Sequence, residues 1–268
     1  MKRLVSAPYL VWMTVFIVVP LLMVAYFAVT NVGGGFTWQY ILEVGQYSNV
    51  FIKSIVLAAI ATVVCLVIAY PIAMILSRMN KNMQSTMLMI VMLPMWMNFL
   101  LRTYAWQALL DNNGIINTLL SYIGLGPFKM LNTQGAVILG MVYNYIPYMI
   151  LPIYSVMVKI DKSIIEAASD LGCNNMKTLV KVILPLSMPG VISGITMVFV
   201  PAISTFIISR MLGGGSEMLI GDLIEMQFLG TSYNPNLGAG ISLVLMVIVL
   251  VIMAIMNKFG DSDDPILM

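Results

Sequence analysis

"EAASDLGCNN", residues 166–175, interrupts two apolar runs. Residues 137–157 before it read "VILGMVYNYIPYMILPIYSVM", and residues 184–200 after it read "LPLSMPGVISGITMVFV". Neither flank holds a charged residue, and each approaches the roughly 20 residues a helix needs to cross bilayer hydrocarbon. The island between them carries Glu166, Asp170 and the pair Asn174 and Asn175. A polar segment between two membrane-length runs is a connection held at the membrane surface. The expected fold is therefore an all-α, polytopic membrane helix bundle with a short structured segment on one face.

Local signals make the island a helix rather than a loop. "DKSIIEAASDLG" spans 161–172. Ser163 and Glu166 have the S-x-x-E spacing of a capping box, in which each side chain satisfies the other's backbone amide. Gly172 suits the left-handed position just past a helix end. Ile164, Ala168 and Leu171 fall on one face with Ala167 beside them, and Lys162, Glu166, Ser169 and Asp170 fill the rest. Spacing leaves two readings of Glu166: a cap, or part of a docking surface that small alanines open to close approach.

Composition agrees with lipid as the solvent. Of 268 residues, 60% are hydrophobic and 9% charged, against roughly 25% charged in an ordinary globular domain. A net charge of +2 gives no reason to expect nucleic acid. With no histidine, the commonest metal ligand and general base is missing. Cys65 and Cys173 sit in different contexts without a C-x-x-C, so neither zinc nor redox work is expected. The methionines read as lipid-compatible helix formers.

Six apolar stretches are expected to span the membrane: Ala7–Thr30, Ile55–Leu76, Met87–Leu110, Gly135–Val158, Pro189–Ile208 and Leu237–Met256. The first is too long for the core of a signal peptide and reads as a retained helix. The whole chain, 1–268, is expected to be one transmembrane domain, with a cytoplasmic segment at about 159–185.

Lysine and arginine set the orientation. With the N-terminus inside, the inner segments hold Lys2, Arg3, Arg78, Lys81, Lys159, Lys162, Lys177, Lys181 and Lys258, and the outer ones Lys53, Lys129 and Arg210. Both termini and the island are then cytoplasmic. The outer connections carry Glu43, Asp111, Glu217, Asp222 and Glu225. Residues 111–128 read as a turn and a short amphipathic helix, and Met218–Phe228 as a re-entrant or gate helix.

Enzymatic signatures are missing. The glycine-rich "VGGGF" (32–36) and "LGGGSE" (212–217) lack the Lys-Ser/Thr of a phosphate-binding loop. No nucleophile elbow or zinc motif occurs. Ion-driven carriers usually hold ionisable groups near the bilayer centre, and Arg102 alone lies inside an expected span. An energy source outside the chain is the economical expectation. A stand-alone channel or carrier stays as the rival.

"EAASDLGCNNMKTLVKVILP" (166–185) resembles the EAA motif of bacterial ABC importer permeases: EAA, three residues, Gly, nine residues, Ile, one residue, Leu-Pro. Glu166, Ala167, Ala168, Gly172, Leu184 and Pro185 match, and Val182 stands where the pattern has Ile. "YPIAMILSR", "LPMWMNFLLRTYAWQALL", "LPLSMPGVISGI" and "MLGGGSEMLIGDLIEMQFL" extend the likeness to spermidine/putrescine importer permeases over about 70–229. The resemblance implies a type I importer permease whose coupling helix, including Asp170, docks on an ATPase subunit. It also implies a second homologous permease, two ATPase subunits holding the ATP and magnesium, and an extracytoplasmic polyamine-binding protein in a bacterial inner membrane. The chain itself is expected to bind no cofactor or metal. Permeases for iron, thiamine, sulfate or molybdate share the motif, so those substrates stay open.

A polyamine needs carboxylates, acceptors and aromatic faces. The expected path residues are Trp96, Asn98, Tyr104 and Trp106 of the third span, Tyr143, Asn144 and Tyr148 of the fourth, and Ser204 of the fifth. Asp222 and Glu225 are expected to form an anionic outer mouth. Arg102 is expected to snorkel outward or to pair with an outer carboxylate, Asp111 being one candidate, in a structural or gating role.

Overall fold

A computed structural model describes residues 7–31, 33–215, 217–230 and 232–260. Lys2 and Arg3, on which the orientation count draws, lie outside the described residues. The regular structure of the described residues is helical, with one isolated bridge between Thr30 and Phe36.

The first span comprises α1 (Ala7–Met13), a π-helical turn (Thr14–Val18) and α2 (Val19–Val29). A second π turn, Leu179–Ile183, occurs later in the chain. Each lies two residues before a proline, Pro20 or Pro185. Proline has no amide to offer the carbonyl four residues back, and a π turn relieves that mismatch. Helix α3 (Gln39–Glu43) leads through a 3-10 turn into the long α4 (Ser48–Arg78). Helix α4 buries Leu57, Ala58, Ala61, Cys65, Ala69 and Ala73 along one stripe. Where lipid surrounds a bundle, such small residues drive association by letting backbones approach.

The third expected span is not one helix. Helix α5 (Lys81–Trp96) is bent by 86° at Met97–Asn98 from the run Phe99–Tyr122, which begins with α6 (Phe99–Leu110). Pro94 leaves a backbone carbonyl unbonded near the end of α5. Asn98 then starts a new helix, its Oδ1 accepting from the amides of Leu100 (2.8 Å) and Leu101 (3.4 Å). The described residues thus hold five continuous membrane-length helices and one broken pair.

After α7 (Ile115–Tyr122) comes α8 (Gln134–Met157), the centre of the bundle. It packs on α4 and on α11 (Leu184–Ile203). The α8–α11 contact depends on Gly190, because a Cβ there would sit 2.8 Å from the Pro152 carbonyl. Tyr70 and Ser187, 3.0 Å apart, join α4 to α11. Between α8 and α11 lie α9 (Lys162–Asp170) and α10 (Asn175–Thr178).

The fifth span stops at Ile203, earlier than the sequence suggests, and resumes as α12 (Ile207–Gly213). Pro201 lies in the last turn before this break. The expected gate helix is α13 (Ile220–Leu229), too short to span and packed against the final helix, α14 (Pro235–Gly260). Its first amide, Ile220, donates to the buried Ser54 hydroxyl of α4 at 2.9 Å. Helix α14 also holds the first span, with Asn236 donating to the carbonyls of Phe27 and Thr30.

Candidate functional site

The island forms α9, but its capping differs from the expected box. Asp161 is the N-cap: its backbone is extended and its carboxylate accepts from the Ser163 amide at 3.0 Å. Ser163 therefore lies inside the first turn, and Glu166 is not a capping residue. The Ser163 amide, with the hydroxyl contributing less, holds the exposed Asp161 carboxyl below its usual range.

The other end closes as anticipated. Gly172 adopts φ +81°. Its amide bonds to the Ser169 carbonyl at 2.9 Å, and the Cys173 amide to the Ala168 carbonyl at 3.1 Å. This pair of crossed bonds is a Schellman motif, which removes two orphan carbonyls. An L side chain at 172 meets no neighbour but would have to take up a disfavoured backbone conformation.

The helix is also rotated from the expected face. Ala168 is buried and Ile165 half-buried, so this edge roots α9 in the bundle. Ile164, Ala167 and Leu171, spaced i, i+3, i+7, face outward, and Leu171 is 85% exposed. Glu166 and Ser169 line a cavity of about 620 Å³ on the flank, together with Met74 and Arg78 from the end of α4 and Cys173. Asp170 is exposed, as are Leu184 and Pro185 at the start of α11. Sequence reasoning missed Arg78 and Met74, because the crossing that brings α4 beside α9 leaves no local signal. The i, i+3, i+7 spacing of Ile164 and Leu171 was a usable one.

The path residues divide. Trp96 is 73% exposed at the end of α5, Tyr104 is exposed on α6, and Asn98 is committed to capping. Trp106 and Tyr143 meet edge-on at 5.3 Å, tying α6 to α8. Tyr148 is exposed, whereas Asn144 is buried and donates to the Gly140 carbonyl, its Oδ1 left without a partner. The exposed Ser204 bonds back to the Val200 carbonyl at 3.2 Å beside the α11–α12 break.

Glu217, Asp222 and Glu225 are each committed to partners within the chain. Asp222, 7% exposed, accepts from the Leu219 amide at 3.0 Å and so caps α13. Glu225 pairs with Arg210, and Glu217 with Lys53; these are the ion pairs among the described residues. Arg102 neither snorkels nor meets Asp111. It is buried, with Nε and Nη1 unpartnered and the guanidinium carbon 5.9 Å from the Phe99 ring centre. Both expected relations assumed a side chain free to extend along the third span, and the α5–α6 bend turns that segment into the protein.

The bundle matches known transporters. The sequence profile of binding-protein-dependent transport system inner membrane components matches residues 66–260. The spermidine/putrescine transport system permease protein PotB of Haemophilus influenzae is 38% identical over 248 residues, covering 88% of this chain and 86% of the relative. The crystal structure of a bacterial ABC transporter involved in the import of the acidic polysaccharide alginate superposes with a TM-score of 0.82 at 16% identity, covering 98% of this chain and 97% of that one. A second structure, of a bacterial alginate transporter in complex with alginate pentasaccharide-bound periplasmic protein, gives 0.80 at 14% identity, covering 97% and 93%. At such identities these structures speak for the fold alone, but the profile and the relative settle descent: this chain belongs to the family of binding-protein-dependent transport system inner membrane components.

Proposed function

We propose that this chain is the transmembrane permease subunit of an ATP-driven importer that moves polyamines into the bacterial cytoplasm by alternating access. The observation that carries the driven part is α9: a helix capped at both ends, rooted by Ala168, with Ile164 and Leu171 turned outward at the α4 end marked by Arg78. An exposed apolar stripe on a polar helix is a docking face. Its partner is an ATPase subunit, two copies of which bind the ATP and magnesium. A second permease of similar fold completes the path, and an extracytoplasmic binding protein delivers substrate. Polyamine as substrate is supported by the 38% identical relative, a spermidine/putrescine transport system permease. The lysine and arginine count supports cytoplasmic termini, with α9 inside and α13 outside.

ATP closes the paired ATPases and draws the α9 helices together. Packed on α10 and the π turn that runs into α11, α9 transmits the movement through α11 to the bundle. Proteoliposomes holding both permeases and the ATPases, supplied with loaded binding protein, test this. Glu166→Ala and Gly172→Pro variants are expected to assemble but to import spermidine poorly. Full-rate import by both removes α9 from the coupling role. Spermidine movement through this chain alone, without ATP, supports a channel instead.

A further inference from the structure

With Glu217, Asp222 and Glu225 committed to partners in the chain, an acid able to meet a cation is to be found elsewhere, at Glu43. A shallow, open pocket is lined by Trp38, Gln39, Leu42, Glu43 and Gln46. It belongs to the connection between the first span and α4. The helical run Gln39–Arg78 places it at the opposite end of the bundle from α9. Among the described residues no lysine or arginine pairs with Glu43, and none lines the pocket.

The pocket has a fixed frame. Asn31 accepts from the amides of Gly33 and Gly35 at 3.0 and 2.8 Å, which closes the preceding turn. Phe36 meets Trp38 edge-on at 5.3 Å. Gly240 of α14 lets the backbone of Tyr40 come close, since a Cβ there would lie 3.3 Å from the Tyr40 carbonyl.

We infer that Trp38 and Glu43 form a binding site for an aliphatic ammonium, taking one end of a linear polyamine at the outer mouth. The carboxylate supplies the counter-charge and the indole an electron-rich surface. Gln39 and Gln46 supply carbonyl acceptors for the ammonium protons, and Leu42 an apolar wall for the methylene chain. A neutral or anionic solute gains nothing from this set. The site rests on the polyamine and orientation readings above.

The test is spermidine binding to the assembled importer without binding protein, followed by tryptophan fluorescence. The Trp38 signal is the difference between the native protein and Trp38→Phe. Saturable quenching of that signal is expected. Glu43→Gln should raise the apparent Kd about tenfold, the scale of a partly desolvated cation contact, and Glu43→Asp should restore part of it. No quenching in the native protein, or quenching equal in Glu43→Gln, overturns the site. The binding assay does not depend on transport. Intact binding in an importer that moves no polyamine therefore overturns the proposed substrate and leaves the site standing.

Discussion

Glu166 is released from the capping role that its spacing with Ser163 suggested, because Asp161 already serves the first turn. Nothing in the S-x-x-E pattern shows whether Asp161 or Ser163 takes the extended backbone, so the cap was legible only to within two positions. Gly172 was legible, because a left-handed helix end has almost one solution in sequence. Gly172→Ala is expected to cost about 1–2 kcal/mol of backbone strain, read as roughly tenfold faster amide exchange in the last turn of α9. Asp161 adds a pH dependence. Its carboxyl is lowered in the folded state, so its contribution is present at neutral pH and fades as pH falls through that lowered value. Exchange of the first turn should rise on acidification in the native protein. Asp161→Asn, which caps without titrating, should not show the rise.

Among the elements, apolar runs gave the number of spans but not their continuity. A break needs a proline or cap acting together with a tertiary partner, and at Met97–Asn98 the cap was already in the sequence. Asn98 looked like a substrate ligand because an intramembrane asparagine invites that reading. Asp222 misled in the same way: it looked like an open carboxylate and is a buried cap. Charge reversal there should damage the fold. Asp222→Asn is expected to cost about 1–2 kcal/mol, measured as a lower melting temperature of the purified subunit. Glu225→Gln removes only a half-exposed ion pair and should cost less than about 1 kcal/mol. At the α8–α11 crossing, Gly190→Ala should cost about 1–3 kcal/mol by overpacking. Its Cβ would meet backbone rather than a flexible side-chain end.

For the molecule as a whole, the two ends of α4 frame the account. One end meets α9 at the cavity of Arg78 and Glu166, and the other leads from the Trp38–Glu43 pocket. We propose that a helix over this distance links an ATP-driven movement at α9 to the opposite end of the bundle. The most direct test is ATP-dependent spermidine accumulation in proteoliposomes of the full importer, comparing the native chain with Ile164→Asp/Leu171→Asp. Both side chains are exposed, so the variant chain should fold. The account predicts accumulation against a gradient for the native chain and its loss in the variant, with ATP hydrolysis no longer stimulated by loaded binding protein. Unchanged accumulation in the variant would contradict it.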